Sequence, residues 1–147
     1  MALDNNSFSI FLNTIKRFVD NKLIPREDEV ADTNNIPNDI VEEMKNIGLF
    51  GISIPTEYGG SNLSMEQEVE LTFELGRASP AFRSMAGTNI GIGSQTIVMS
   101  GTDEQKSKYL PKFSTGDIIN HQMYNYRGVI VDYDSTCQAP EPWYKSN

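Results

Sequence analysis

Hydrophobic residues recur at spacings of three and four along most of the chain, the repeat that places side chains on one face of a helix. In residues 7–23 this repeat predicts a first helix, which Pro25 is expected to end because proline lacks a backbone N–H. The polar and acidic stretch 26–35 is expected to be a surface loop. A second helix is predicted over residues 37–48, with a proline in its first turn and a glycine at its end.

Two capping boxes mark helix starts further along the chain. In such a box a Ser or Thr side chain and a Gln side chain three residues later each bond the other residue's backbone N–H. The spacing occurs twice, in Ser64 with Gln67 and in Thr102 with Gln105. The first box predicts a helix to about residue 76, and the second predicts a last helix over residues 103–110 that Pro111 is expected to close.

Between these boxes the chain is rich in small residues. Ser79 and Pro80 signal another helix start, and residues 81–100 carry four-residue spacings interrupted by glycines. Two helices are therefore expected to meet near Gly91 and Gly93, where a backbone or a thin ligand could approach closely. Together the patterns predict a mainly α protein, a bundle of five to six helices, orthogonal or up-and-down.

The hydrophobic pattern changes after residue 116. Residues 123–134 are rich in aromatic and β-branched residues around Gly128, which predicts two short strands or one bent strand. A lone strand pair does not stabilise itself, so it would lean on the bundle, pair with another chain or remain loosely ordered. The predicted domains are thus a helical domain, 1–116, and a short β-rich tail, 117–147.

Composition narrows the classes of function. The net charge of −8 argues against general affinity for DNA or an anionic membrane, and no stretch approaches the length of a membrane span. A single cysteine, Cys137, excludes an internal disulfide framework and favours a reducing compartment, so a cytoplasmic location is expected. The one histidine, His121, has no second imidazole or thiol cluster near it in sequence, so neither a metal site nor a catalytic residue is predicted.

Three motifs in a fixed order resemble the N-terminal helical domain of acyl-CoA dehydrogenases. The resemblance covers about residues 5–119 and rests on GLFGISIPTEYGG at 48–60, ELGRASPAF at 74–82 and SGTDEQKSKYLPKFSTGDI at 100–118. It implies a flavoenzyme that uses FAD to oxidise an acyl-CoA substrate between its α and β carbons. In that family the helical domain forms one wall of the acyl pocket, and full-length members form homo-oligomers.

The tail departs from that family and resembles another. From about residue 117 the sequence is similar to the start of the HspQ and hemimethylated-DNA-binding group, and residues 142–144 echo its Trp-Tyr motif. The flavin-binding β domain and the domain with the catalytic Glu are therefore expected to be absent, so the chain alone should be inactive and should not hold FAD. The alternative is a non-enzymatic binding module whose tail recruits DNA or a protease partner.

The dehydrogenase resemblance also suggests substrate-binding residues. Arg83 and Ser84 match an Arg-Ser pair that contacts the distal carboxylate of the acyl group in the glutaryl-CoA branch, and a guanidinium has the donor geometry for this. Thr88 lies four residues after Ser84, so both hydroxyls would face the same side. The alternative is that Arg83 is a solvated helix residue and that the two hydroxyl residues only pack.

Overall fold

Helices account for every regular element among residues 3–116, the part of the chain that the computed structural model describes. They form five continuous helical runs, two of which change their winding internally. The first run is α1 (Asn5–Phe18), which continues through a π turn (Val19–Leu23) and a 3-10 turn (Ile24–Arg26) into α2 (Glu27–Thr33). The second and third runs are the single helices α3 (Asn38–Asn46) and α4 (Met65–Leu75). In the fourth run a π segment (Thr88–Ser94) joins α5 (Pro80–Gly87) to α6 (Gln95–Ser100), and the fifth run is α7 (Asp103–Ser114). Two short 3-10 turns, Leu49–Gly51 and Thr56–Tyr58, lie between α3 and α4.

The predicted fold class and both capping boxes are confirmed. At the start of α4, Gln67 N donates to Ser64 Oγ at 3.3 Å and Ser64 N donates to Gln67 Oε1 at 3.0 Å. At the start of α7 the corresponding distances between Thr102 and Gln105 are 3.2 and 2.8 Å. The strands predicted over residues 123–134, together with Cys137 and His121, lie outside the described residues.

The prediction of a loop over residues 26–35 is wrong, because most of this stretch is α2. Three of its four acidic residues, Glu27, Asp28 and Glu29, occupy the first helical turn, where a carboxylate is stabilised by the partial positive charge of the helix start. Val30 is buried, and Asn34 ends the helix in the left-handed conformation at φ 50°. The helical run also passes through Pro25, which occupies the first turn of a 3-10 helix and so does not end it.

The prediction that Pro111 closes the last helix is also wrong, since α7 continues to Ser114. Pro111 costs the helix one backbone hydrogen bond. However, Leu110 and Phe113 on either side of it are almost fully buried, in a cluster with Ile54 and Ile97. Packing of these side chains therefore favours the helical course past the proline.

The expected junction near Gly91 and Gly93 takes an unexpected form. The π segment Thr88–Ser94 carries both glycines and joins α5 to α6 without a break in the helical winding. π-Helical turns are rare and often occur at functional sites, which directs attention to this segment.

The loop of residues 48–63 is held by hydrogen bonds across its own backbone. Ser61 N donates to Gly51 O at 2.9 Å, and Leu63 N donates to Ile52 O at 2.7 Å. Gly60 crosses so close to the opposite side that a Cβ built on it would lie 2.0 Å from Ile54 O. Only glycine fits this crossing, and the crossing fixes Ile52 in the core, where it is 1% exposed.

Most buried side chains form one apolar core, and a smaller cluster lies beneath α7. The core gathers residues from α1 to α5, the 49–51 turn and the π segment. None of the helices found in residues 3–116 has the length and apolar character that crossing a membrane requires.

Candidate functional site

A cavity of about 180 Å³ lies between α4, the α5 and π-segment run, and the loop of residues 48–63. Each of these elements contributes apolar side chains to its lining: Leu71 and Leu75 from α4, Ile90 from the π segment and Ile52 from the loop. All four are buried, so the cavity is continuous with the hydrophobic core. Its interior is therefore suited to an apolar ligand.

The wall formed by α5 and the π segment is open because of two glycines. Arg83, Gly87 and Gly91 follow each other at intervals of four residues, so they share one helical face, and all three line the cavity. A Cβ built on Gly87 or on Gly91 would meet no atom within 4 Å. Space that side chains would otherwise fill is thus left to the cavity.

The predicted site residues do not all lie in this cavity. All three are exposed, but only Arg83 is part of the cavity lining, and Ser84 and Thr88 are not. Thr88 Oγ1 donates to the backbone carbonyl of Ser84 at 2.8 Å, so this hydroxyl is bonded within its own helix. Substrate binding by Arg83, Ser84 and Thr88 stays a prediction.

Glu68 on α4 is a cavity-lining residue that sequence reasoning missed. It is half-buried, and burial raises the pKa of its carboxyl above the ordinary value. Among residues 3–116, neither Glu68 nor Arg83 has an oppositely charged group within salt-bridge distance. A signal existed in the sequence, because Glu68 precedes Leu71, Thr72 and Leu75 at the spacings that share a helical face.

Polar contacts fix the π segment that forms one wall. Asn89 Nδ2 donates to Phe50 O and to Phe113 O, both at 3.0 Å, and so ties the segment to the 49–51 turn and to α7. The buried Ser94 donates to Ile90 O at 2.9 Å, and Ser53 Oγ lies 3.4 Å from the same carbonyl. These bonds hold Ile90 and Gly91 against the cavity.

The arrangement can bind a small apolar group, with one cation and one carboxylate at its walls. A cavity of about 150 Å³ suffices for a ligand with the six carbons of benzene. Cofactor pockets are larger, about 300–1,000 Å³, so this cavity does not fit a flavin dinucleotide. Within the described part of the chain, no group of three His, Cys, Asp or Glu side chains could hold a metal ion.

Comparison with protein families assigns both parts of the chain. Residues 7–117 match the family model of the acyl-CoA dehydrogenase N-terminal domain. Residues 111–147 match the family model of the hemimethylated DNA-binding protein YccV like. Both resemblances drawn from the motifs are thereby confirmed.

Individual relatives agree with the first match. Mitochondrial isovaleryl-CoA dehydrogenase of Bos taurus is 32% identical over 108 residues, which cover 72% of this chain and 25% of that protein. The (2S)-methylsuccinyl-CoA dehydrogenase of Cereibacter sphaeroides is 36% identical over 110 residues, covering 71% of this chain and 19% of that protein. The chain thus spans about a quarter or less of the length of these curated relatives.

Solved structures show the same fold. An acyl-CoA dehydrogenase complexed with FAD from Bacillus anthracis superposes with a TM-score of 0.66 at 30% identity, covering 78% of this chain and 20% of that one. A glutaryl-CoA dehydrogenase from Mycobacterium smegmatis in complex with FADH2 gives 0.67 at 27% identity, covering 80% and 30%.

Proposed function

The chain belongs to the acyl-CoA dehydrogenase family through its N-terminal domain. From this premise we propose that the residues lining its cavity form one wall of an acyl-binding pocket. The cavity carries the proposal, because it is lined by Ile52, Leu71, Leu75 and Ile90 and opened by two glycines. An acyl group of up to about six carbons matches its volume. The reaction that the pocket would serve is FAD-dependent oxidation of an acyl-CoA thioester.

Arg83 is the proposed polar contact within this pocket, since its side chain lines the cavity without a carboxylate partner among residues 3–116. Ser84 and Thr88 are proposed as contacts outside the cavity. They lie on the exposed side of the same helical run, and their neighbours in sequence, Arg83 and Gly87, line the cavity.

The 147-residue polypeptide is proposed to have no dehydrogenase activity on its own. FAD bound to the enzyme would accept the hydride, but the cavity described above is smaller than the pocket that a dinucleotide requires. The flavin contacts, the catalytic carboxylate and the oligomer contacts would come from other domains of a full-length enzyme. A cytoplasmic location fits the single cysteine of the sequence.

Titration calorimetry with the full 147-residue chain tests both parts of this proposal. Butyryl-CoA should bind more tightly than free CoA, because only the former carries an acyl group for the cavity. FAD should neither bind stoichiometrically nor be reduced when butyryl-CoA is added. Equal affinities for butyryl-CoA and CoA would contradict the acyl pocket, and reduction of FAD would contradict the claim of inactivity.

A second candidate function rests on the match of residues 111–147 to the hemimethylated DNA-binding family. In this alternative the chain is a binding module whose tail recruits DNA or a protease partner. The net charge of −8 counts against DNA. Salt-sensitive binding to a hemimethylated duplex, stronger than to the same duplex unmethylated, would favour this alternative.

A further inference from the structure

We propose that Glu68 is a specificity-determining residue of this cavity, which excludes acyl groups with a distal carboxylate and selects short uncharged ones. The inference rests on the proposed acyl pocket and adds the class of acyl group that it accepts. Arg83 alone would suggest the opposite preference, because a guanidinium binds carboxylates. Which acyl groups the cavity accepts therefore depends on Glu68, the second charged residue of the lining.

The cavity contains one charge of each sign. Glu68 comes from α4 and Arg83 from α5, so the two stand on different walls. The remaining lining residues are apolar, glycine or threonine. An uncharged acyl group leaves these two charges balanced, whereas a dicarboxylic acyl group adds a second negative charge to the same space.

The cavity is small enough for the added charge to be repelled by Glu68. A sphere of about 180 Å³ is about 7 Å across, less than the Debye length of about 8 Å at physiological salt. Any carboxylate inside therefore lies within one screening length of Glu68. Because Glu68 is half-buried, the repulsion is stronger than between two exposed surface carboxylates.

Burial and lack of pairing support a role facing a ligand. No residue in the 3–116 range donates a side-chain hydrogen bond to the Glu68 carboxylate or forms an ion pair with it. The other carboxylates of α4 include Glu70, which is exposed and lies outside the lining. Glu68 is thus the acidic residue of α4 that a ligand in the cavity would meet.

The test compares butyryl-CoA with glutaryl-CoA, which share the CoA part and differ in the distal carboxylate. Binding to the full chain is measured by calorimetry for the wild type, Glu68→Gln and the control Glu70→Gln, which changes the net charge equally. The wild type should bind butyryl-CoA more tightly. Glu68→Gln should tighten glutaryl-CoA binding about tenfold while butyryl-CoA stays within about twofold, and Glu70→Gln should alter neither.

Arg83→Gln provides a second variant that does not depend on the first. It removes the only cation of the lining and should weaken glutaryl-CoA binding further. The inference is overturned if the wild type prefers glutaryl-CoA, or if Glu68→Gln and Glu70→Gln behave alike while both ligands bind. If neither acyl-CoA binds better than free CoA, the acyl pocket itself is refuted, and the inference with it.

Discussion

The loop of residues 48–63 and the helical run of residues 80–100 are both rich in glycine, yet they use it for opposite purposes. In the loop, a Cβ on Gly60 would lie 2.0 Å from Ile54 O, and one on Gly51 would lie 3.1 Å from the Ser114 side chain. In the helical run, a Cβ on Gly87 or Gly91 would meet nothing within 4 Å.

The loop glycines thus support the fold, whereas the helix glycines leave room for a ligand. The loop glycines allow backbone segments to cross, and the crossings place Ile52 at the cavity. The helix glycines keep side chains out of the cavity, at the cost in helix stability that glycine carries. The same residue type therefore supports folding in one region and binding in the other.

The largest expected effect is the difference in the free energy of unfolding between Gly60→Ala and Gly87→Ala. The first places a methyl group against a backbone carbonyl and should lower the free energy of unfolding by about 3 kcal/mol or more. The second meets open space in a helix and should raise it by about 0.4–1 kcal/mol. Chemical denaturation of both variants measures the contrast, and equal destabilisation would show that the two regions do not differ as described.

Filling the cavity should separate binding from stability. Gly91→Leu places a side chain in the open space and should weaken butyryl-CoA binding about tenfold or more, with little change in melting temperature. The control is Ile92→Leu, since Ile92 is 73% exposed and lies outside the lining. Unchanged binding by Gly91→Leu would exclude this cavity as the acyl site.

The exposed hydroxyl residues Ser84 and Thr88 should contribute less to the affinity for butyryl-CoA. Thr88→Ala and Ser84→Ala should each weaken butyryl-CoA binding about threefold, as expected for one neutral hydrogen bond. Thr96→Ala is a matched control, because Thr96 donates the same kind of bond to the carbonyl four residues earlier, at 3.1 Å. If Thr88→Ala and Thr96→Ala bind equally well, Thr88 is only a helix residue.

The smallest effect is a pH-dependent one on stability. Because burial raises the pKa of Glu68 in the folded chain, its contribution to stability is present below the unfolded value, near 4.5, and is lost as pH rises through the folded value. Glu68→Gln should therefore raise the melting temperature at pH 7 and not at pH 3. Solvent screening limits the gain to about 0.5 kcal/mol. A gain of equal size at both pH values would contradict the assignment.

Local patterns in the sequence predicted the helices well where side chains act on nearby backbone. Both capping boxes are of this kind, because their hydrogen bonds join residues three apart. The predictions at residues 26–35 and at Pro111 failed because burial of Val30 and of Phe113 depends on distant partners. Arg83 was suggested by the family resemblance, and its binding role stays a prediction, whereas Glu68 was missed, because only the packing of α4 beside α5 brings both residues to one cavity.

The last turn of α7 sets a condition on how this chain could have arisen. Residues 111–117 belong to both family matches, but Phe113 is 1% exposed within the helical domain, and a Cβ on Gly116 would lie 2.6 Å from the Phe50 ring. A gene fusion joined before residue 113 would have deprived the helical domain of a core side chain. Within the overlap, the burial of Phe113 and the close approach of Gly116 to Phe50 therefore place both residues in the packing of the helical domain.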